Sequence, residues 1–331
     1  MPEGHTVHRL ARTFGDLFGS RTLQVTSPQG RFAAGAALID GRVLVDSQAY
    51  GKQLFLGLAD GTRPSDVLWL RVHLGLYGAW TFDGDGSTAV VHAIGAPRRR
   101  VGERETAPAG PAGAVHADGS WTAPAPRGAV RVRLLAEHAV ADLTGPTACE
   151  VVTAAEKDAV VARLGPDPIR DDHTGDPGAE VAARVRRSRT TVGQLLMQQE
   201  VLAGVGNIYR AEVLFRAGLD PLRPGRDVPA EVLRKVWDDL VVLMRDGAAT
   251  GAIVTTRPQD RGASGTPGAS APADPRRRVR QNTDDRPGAV DADDAFYVYH
   301  RDGRPCRVCG TPVLVKELGG RSLYWCGVCQ V

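Results

Sequence analysis

The chain has 331 residues, enough for two domains and a small third, with a net charge of +3 and only four lysines among its 41 basic residues. No run reaches the ~18 apolar residues of a membrane span, and Glu3, Arg9, Arg12 and Asp16 near the start argue against a secretion signal. The arginine bias suits phosphate, which a guanidinium holds in a fork, so nucleic acid is the partner that composition points to, weakly.

The chain opens Met1-Pro2-Glu3-Gly4. Removal of Met1 would leave Pro2 as a free secondary amine, which condenses with an aldehyde to give a cationic iminium directly. An α-amino group has a reference pKa of about 7.7–8 against about 10.4 for lysine, so more of it is neutral and able to attack. Glu3 stands beside it as a proton carrier. The plain alternative is that Pro2 only protects the terminus.

Residues 3–18 read as a helix, with Val7, Leu10, Phe14, Leu17 and Phe18 on one stripe. Short apolar or alternating runs follow at Leu23–Val25, Arg42–Val45, Leu54–Leu58, Val67–Val72 and Val130–Leu135, separated by Gly, Pro and Asp turns. Strands at this spacing predict a sandwich or barrel. Residues 95–128, rich in Ala, Gly, Pro and Arg, read as a surface excursion. From about 155 the pattern turns helical, with Val181–Val185, Val192–Val201, Ile208–Ala217 and Val228–Met244 periodic. Within this stretch an apolar-faced helix over Gln194–Leu202 meets Ala203-Gly-Val-Gly-Asn207, and a second helix begins at Ile208. Asn207 is placed as its N-cap, and free amides at the helix start form an anion site. Either this is an ordinary corner between helices or it is a turn that grips phosphate. Residues 256–290 have a low-complexity composition that predicts a disordered basic insertion.

Four of the five cysteines fall at the end, as Cys306-Arg-Val-Cys309 and Cys326-Gly-Val-Cys329 separated by 16 residues. Two knuckles on a hairpin bring four thiolates together tetrahedrally, which predicts one structural Zn2+ and leaves no open position for catalysis. Val313–Lys316 and Ser322–Trp325 read as the hairpin strands, joined at Gly319-Gly320. Arg321 follows those glycines, either as a solvated side chain or as one that reaches a phosphate. Cys149 stands alone and reads as a buried small apolar residue.

Taken together, Pro2-Glu3-Gly4, Gly51-Lys52, the segment Gln198-Gln-Glu-Val-Leu-Ala-Gly-Val-Gly-Asn-Ile-Tyr-Arg210 and the four-cysteine ribbon occur in an order that resembles the formamidopyrimidine-DNA glycosylase and endonuclease VIII family. The Pro2-Glu3-Gly4 start is more like the endonuclease VIII branch. The resemblance implies an α+β multidomain fold: a β-sandwich catalytic domain with a leading helix over 1–157, a helix-two-turns-helix domain over 158–255, the insertion 256–290, and a zinc ribbon over 291–331. It implies base excision with strand cleavage on damaged DNA held between the domains, by a monomer in the bacterial cytoplasm at the nucleoid, with no membrane partner.

Residue by residue, the resemblance makes Pro2 the amine nucleophile and Glu3 the acid that assists opening of the deoxyribose. It makes Lys52 a phosphate contact and proton donor in β-elimination, and Arg321 the same for δ-elimination. Asn207 becomes a phosphate ligand of the turn, and Arg163 a further basic DNA contact. His73-Leu-Gly-Leu-Tyr-Gly78 resembles the family's wedge loop, so Leu76 and Tyr77 would fill the gap left by an extruded nucleotide; a plain strand end is the alternative. His5, Thr6 and Gly75 depart from residues common in the family, which leaves lesion choice least determined, with oxidised pyrimidines favoured. Two rival readings are a non-catalytic damaged-DNA-binding homologue and an RNA-associated zinc-ribbon protein. Pro2, Glu3 and Lys52 together speak against the first, and the Pro2-Glu3-Gly4 start has no purpose in the second.

Overall fold

The computed structural model of the chain describes residues 2–87, 93–95, 114–116, 121–261, 278–279 and 290–331. The chain divides into two compact units, residues 1–163 and 164–331. Among the described residues, no helix is long and apolar enough to cross a membrane.

The first unit begins with helix α1 (Gly4–Phe18), whose apolar stripe of Val7, Leu10, Phe14, Leu17 and Phe18 is entirely buried. Then come β1 (Gln24–Thr26), the short α2 (Ala33–Ile39), β2 (Val43–Tyr50), β3 (Gln53–Asp60), β4 (Arg63–His73) and β5 (Ala79–Gly84). Shorter pieces follow as β6 (Ala93–Gly95), β7 (Ala114–Val115) and β8 (Trp121–Thr122). The unit closes with β9 (Val130–Leu135), β10 (Ala139–Thr144), β11 (Ala148–Val152) and α3 (Ala154–Val161). One antiparallel sheet has the order β11-β4-β3-β2 and the other β1-β9-β10-β5-β6, while β7 and β8 pair separately.

Strand alternation explains how the sheets share a core. Leu54, Leu56 and Leu58 of β3 and Leu70 and Val72 of β4 join Trp80, Phe82, Val132, Leu134 and Leu143 from the other sheet. Helix α1 packs on β2 and β3. Its Phe14 meets Trp80 edge-on at 4.8 Å and Phe82 at 5.3 Å. The opposite face of β3 and β4 is also buried, because α3 covers Phe55 and Trp69 with Val160. Lys157 of α3 lies with its ammonium 4.4 Å from the Trp69 ring centre. Helix α3 spans residue 157 and belongs to this first unit. Cys149 is half-buried against the core, and burial pushes its thiol up to about 12, which leaves it inert.

The second unit carries α4 (Pro177–Arg186), α5 (Val192–Leu195), α6 (Asn207–Arg216) and α7 (Ala230–Thr250). The Asp176 side chain caps α4 by accepting the Ala179 amide at 3.1 Å, with Pro177 in the first turn. Gly178 lets α4 approach α7, since a Cβ there would lie 2.9 Å from the Trp237 ring. Leu195, Leu202, Val205, Tyr209, Val213, Leu214, Trp237 and Leu240 share one core. Two further pairs, β12 (Arg278–Val279) with β13 (Val290–Asp291) and β14 (Leu314–Leu318) with β15 (Arg321–Trp325), are antiparallel.

Three expectations are corrected here. The helix expected over Gln194–Leu202 is α-helical only to Leu195. Beyond it, the Gln199 amide takes over backbone partners, donating to Met197 O and Val205 O and accepting from Gly204 N at 2.9 Å. Asn207 is not the N-cap. Gly206 holds that place in an extended conformation, Asn207 is the first helical residue, and no side chain caps the helix. The low-complexity stretch is ordered at its first foot: Thr256 donates to Asp294 O at 2.6 Å, and Tyr297 donates to Asp260 at 2.6 Å. Its remainder, apart from 278–279 and 290, lies outside the described residues, as does most of the excursion at 95–128.

Candidate functional site

In the first unit, the head of α1 is buried. Pro2 and Glu3 precede the helix, with Glu3 as N-cap at φ −107° and ψ 179°. Its carbonyl accepts the Thr6 amide at 3.0 Å, but its carboxylate makes no cap hydrogen bond, so the acid is not consumed by helix capping. Glu3 is 1% exposed, and His5 and Thr6 are buried beside it, their side chains 3.2 Å apart.

Lys52 lies in the loop joining β2 and β3, where Tyr50 pairs with Gln53. Gly51 has φ +57° and Lys52 does not share it, the pattern of a two-residue II′ turn, which requires glycine at its first position. The lysine side chain is buried. His73, at the end of β4, is the register partner of Gln53. Burial holds the His73 imidazole below its usual range, and the positive charges of Lys52 and Arg71 add to this. The neutral imidazole is favoured in this way, and His73 senses the lysine's charge.

After His73 the chain makes a tight loop in which Gly78 N donates to Leu74 O at 3.0 Å. Leu74 is core, whereas Leu76 is 38% and Tyr77 74% exposed. Two neighbouring apolar side chains held out on a rigid loop suit insertion better than core packing. Gly75 has φ +66°, and a Cβ there would fall 1.8 Å from Thr147 Oγ1, so a side chain at that place is excluded by the neighbouring loop.

In the second unit, the turn before α6 and the ribbon form one assembly. Asn207 Nδ2 donates to Ser322 O at 2.9 Å. Arg210, 1% exposed, donates to that same carbonyl at 3.2 Å, to Gly193 O at 3.3 Å and to Asn207 Oδ1. Ser322 follows Arg321, the first residue of β15, which is exposed just past the Gly319-Gly320 turn. Both glycines have positive φ, +61° and +72°, as a type I′ hairpin demands. The predicted phosphate residues Asn207 and Arg321 are thus tied together through one backbone carbonyl. Arg163 is exposed at the end of the first unit.

The four ribbon sulfurs lie within 4.8 Å of one another, with Cys306 and Cys329 at 3.8 Å and Cys309 and Cys326 at 3.4 Å. A tetrahedral zinc with ~2.3 Å bonds needs sulfurs ~3.8 Å apart, so this donor set fits Zn2+ and closes its coordination. Amides of Val308 and Cys329 point at the Cys306 and Cys326 sulfurs at 3.5 Å, which suits thiolates.

Sequence reasoning missed Arg210, Gln199 and His73 as parts of the site. Arg210 stands among Ile208, Tyr209, Ala211 and Val213, and a charged residue on a helix otherwise buried all round is the signal that could have found it.

Residues 164–259 match the formamidopyrimidine-DNA glycosylase H2TH domain, and residues 303–331 match the zinc finger found in FPG and IleRS. The chain is 39% identical over 334 residues to endonuclease 8 1 of Mycobacterium tuberculosis, covering 100% of both. It is 32% identical over 171 residues to the formamidopyrimidine-DNA glycosylase of Geotalea uraniireducens, covering 52% of this chain and 53% of that one. The MutM (Fpg) protein of Thermus thermophilus superposes with a TM-score of 0.63 at 24% identity, over 99% of this chain and 98% of that one. The Lactococcus lactis Fpg solved with abasic-site DNA gives 0.64 at 16% identity over 99% of each chain.

Proposed function

The chain belongs to the formamidopyrimidine-DNA glycosylase and endonuclease VIII family, and on that premise we propose how its residues work and on what. It is a base-excision-repair DNA glycosylase with AP-lyase activity. The observation that carries the mechanism is the buried Pro2-Glu3 head of α1, with an acid that takes no part in capping, on a helix packed against the hairpin that bears Lys52.

With Met1 removed, the Pro2 nitrogen donates its lone pair to C1′ of the damaged nucleotide. The C1′–N bond breaks and the base leaves with the electron pair and a proton. Glu3 protonates the sugar ring oxygen as the ring opens, giving the iminium. That cation acidifies the 2′ hydrogens, so loss of one to solvent expels the 3′ phosphate by β-elimination; the conjugated iminium then loses its 4′ hydrogen and expels the 5′ phosphate by δ-elimination, with Lys52 and Arg321 holding the departing phosphates and delivering protons to them. Asn207 and Arg163 contact phosphate and fix register. Leu76 and Tyr77 occupy the gap after base extrusion. The sandwich is the catalytic domain, and the helical region with its ribbon grips DNA. The single zinc holds the ribbon's shape and takes no step in the reaction.

Three features support an oxidised pyrimidine as the favoured lesion: the Pro2-Glu3-Gly4 start, the Leu76-Tyr77 pair and full-length similarity to an endonuclease 8. We read the protein as a monomer acting on the chromosome in a bacterial cytoplasm. A non-catalytic homologue is not favoured, because the similarity to an endonuclease runs the full length and this chain carries Pro2, Glu3 and Lys52.

The test is borohydride trapping on duplexes carrying 5-hydroxyuracil or, opposite cytosine, 8-oxoguanine. The expected result is a covalent adduct on both, faster with the pyrimidine, carried on the Pro2 nitrogen in peptide mass spectrometry and formed much more slowly in Pro2→Gly. An adduct located on any other residue would overturn the nucleophile, and faster trapping on 8-oxoguanine would overturn the lesion preference alone.

A further inference from the structure

Helix α6 holds a second polar device besides Arg210. Glu212 is fully buried, and its two carboxylate oxygens collect four donors from two distant segments. Oε1 accepts the amides of Val298 and Tyr299, both at 2.8 Å. Oε2 accepts the Tyr297 amide at 2.8 Å and the Thr255 hydroxyl. Three successive backbone N–H groups converging on one anion form a nest, an arrangement that satisfies a buried carboxylate and fixes the backbone presenting them.

That backbone leads into the ribbon. Tyr297 stacks on Phe215 of α6 with ring centres 4.6 Å apart. Tyr299 meets Tyr324 edge-on at 5.4 Å, and the Tyr324 hydroxyl is 3.3 Å from His300 Nδ1. Tyr324 lies on β15, the strand that Arg321 begins. The ribbon is therefore attached to α6 twice: near its tip through the Ser322 carbonyl, and at its base through Glu212.

We propose that Glu212 is a positioning residue for strand cleavage: it locks the base of the zinc ribbon onto α6, so that Arg321 and Asn207 are presented to DNA as one rigid surface. This rests on the reading above that Arg321 contacts phosphate. Glu212 touches neither DNA nor zinc. It acts by fixing three amides that an unanchored ribbon would leave free to move.

Glu212→Gln is the direct variant. Its carbonyl oxygen can still receive two amides, but its NH2 group faces the Tyr297 amide as donor against donor. Three readouts in the zinc-loaded, full-length enzyme separate the possibilities: zinc per chain, hydrogen exchange at residues 297–299, and salt-dependent binding to a duplex with a tetrahydrofuran abasic analogue. The expected result is one zinc retained and exchange at 297–299 faster by about tenfold or more. The salt slope should fall by about one, as if Arg321 were lost, with Arg321→Ala adding nothing in the Glu212→Gln background. Wild-type exchange at those amides, or additive effects of the two substitutions, would overturn the proposal. If Arg321→Ala alone leaves binding unchanged, the phosphate reading of Arg321 fails, and the positioning proposal falls with it even where exchange shows the attachment. Should Glu212→Gln fail to fold, Thr255→Val removes one of the four donors while keeping shape. It should loosen the same amides by a smaller factor, and no loosening would overturn the proposal.

Discussion

The two ends of the proposed machinery are held in place by opposite means. In the first unit, Pro2, Glu3 and Lys52 lie at the ends of regular elements over a broad apolar core, with α1 set on β2 and β3 by Phe14 against Trp80 and Phe82. In the second, the ribbon's strand β14 is almost wholly exposed, and Asn207 and Arg321 are fixed by metal ligation and by buried polar side chains that grasp backbone groups. Packing positions the amine chemistry, while coordination and hydrogen bonds, added to the small apolar cluster of Phe215, Tyr297, Val313 and Tyr324, position the phosphate chemistry. The two should therefore fail separately.

The largest expected effect breaks the second region alone. Four thiolates on a hairpin with little core of its own depend on the ion for folding, where zinc-finger peptides gain about 10–16 kcal/mol from binding it. Cys326→Ser, or stripping with a chelator, should disorder residues 303–331 and abolish tight DNA binding. Exchange protection in β3 and β9 should remain, because their core lies within residues 1–163. Loss of protection in both units together would show that the two are not independently held.

Glu3→Gln is the converse. The change preserves shape at a buried position but removes a proton carrier, so base excision should fall by about 10²–10⁴. Zinc content and affinity for the tetrahydrofuran duplex should stay as in the wild type. Near-normal excision of an intact damaged base would remove Glu3 from the mechanism.

A smaller effect compares the regions directly. Lys52→Ala and Arg321→Ala should each lower the salt slope of DNA binding by about one, since each releases about one counterion's worth of phosphate contact. Lys52 is buried at a rigid turn and Arg321 is exposed at a hairpin tip. An unchanged slope in either variant would mean that its side chain is turned away from DNA.

The same contrast explains what could be read in the sequence. Helix α1, the strand runs at β3 and β9 and the cysteine spacing were legible, because each is a local pattern of period or spacing imposed by burial or a metal. Helix α2 was not, having only Ala36 and Ile39 buried in seven residues. The turn before α6 was misread at both edges. The preceding helix gives way after Leu195 to i→i−3 turns and to backbone groups held by the Gln199 amide, and the cap position has no side chain because Gly206 takes it. Arg210 and Glu212 lie within three residues of each other on a helix whose burial is nearly complete, yet the partners that tie them to the ribbon, Ser322 and Tyr297 to Tyr299, are more than eighty residues away. No local pattern encodes such a pairing. The sequence could name the residues proposed to face DNA but not those that hold them in place.

The smallest effect tests how closely the first region's charges are coupled. His73 has a native pKa below the ordinary value of 6.5, first because it is buried and then because Lys52 and Arg71 are positive nearby. A histidine lowered on folding adds stability that is complete above about pH 6.5 and is lost as pH falls towards the native value, since the unfolded chain takes up the proton first. His73→Gln should therefore flatten stability against pH below about 6.5, while leaving it nearly unchanged at pH 8, as read from denaturant midpoints. Lys52→Ala should move the His73 pKa back upwards by removing one of the opposing charges, which an NMR titration of the imidazole can follow. Phosphate bound at Lys52 acts in the same direction, so DNA binding near pH 6 should take up protons, visible as a buffer-dependent binding enthalpy. A His73 titration unmoved by Lys52→Ala would show that burial and Arg71 set it, and that the lysine's charge is screened from the strand end it was placed beside.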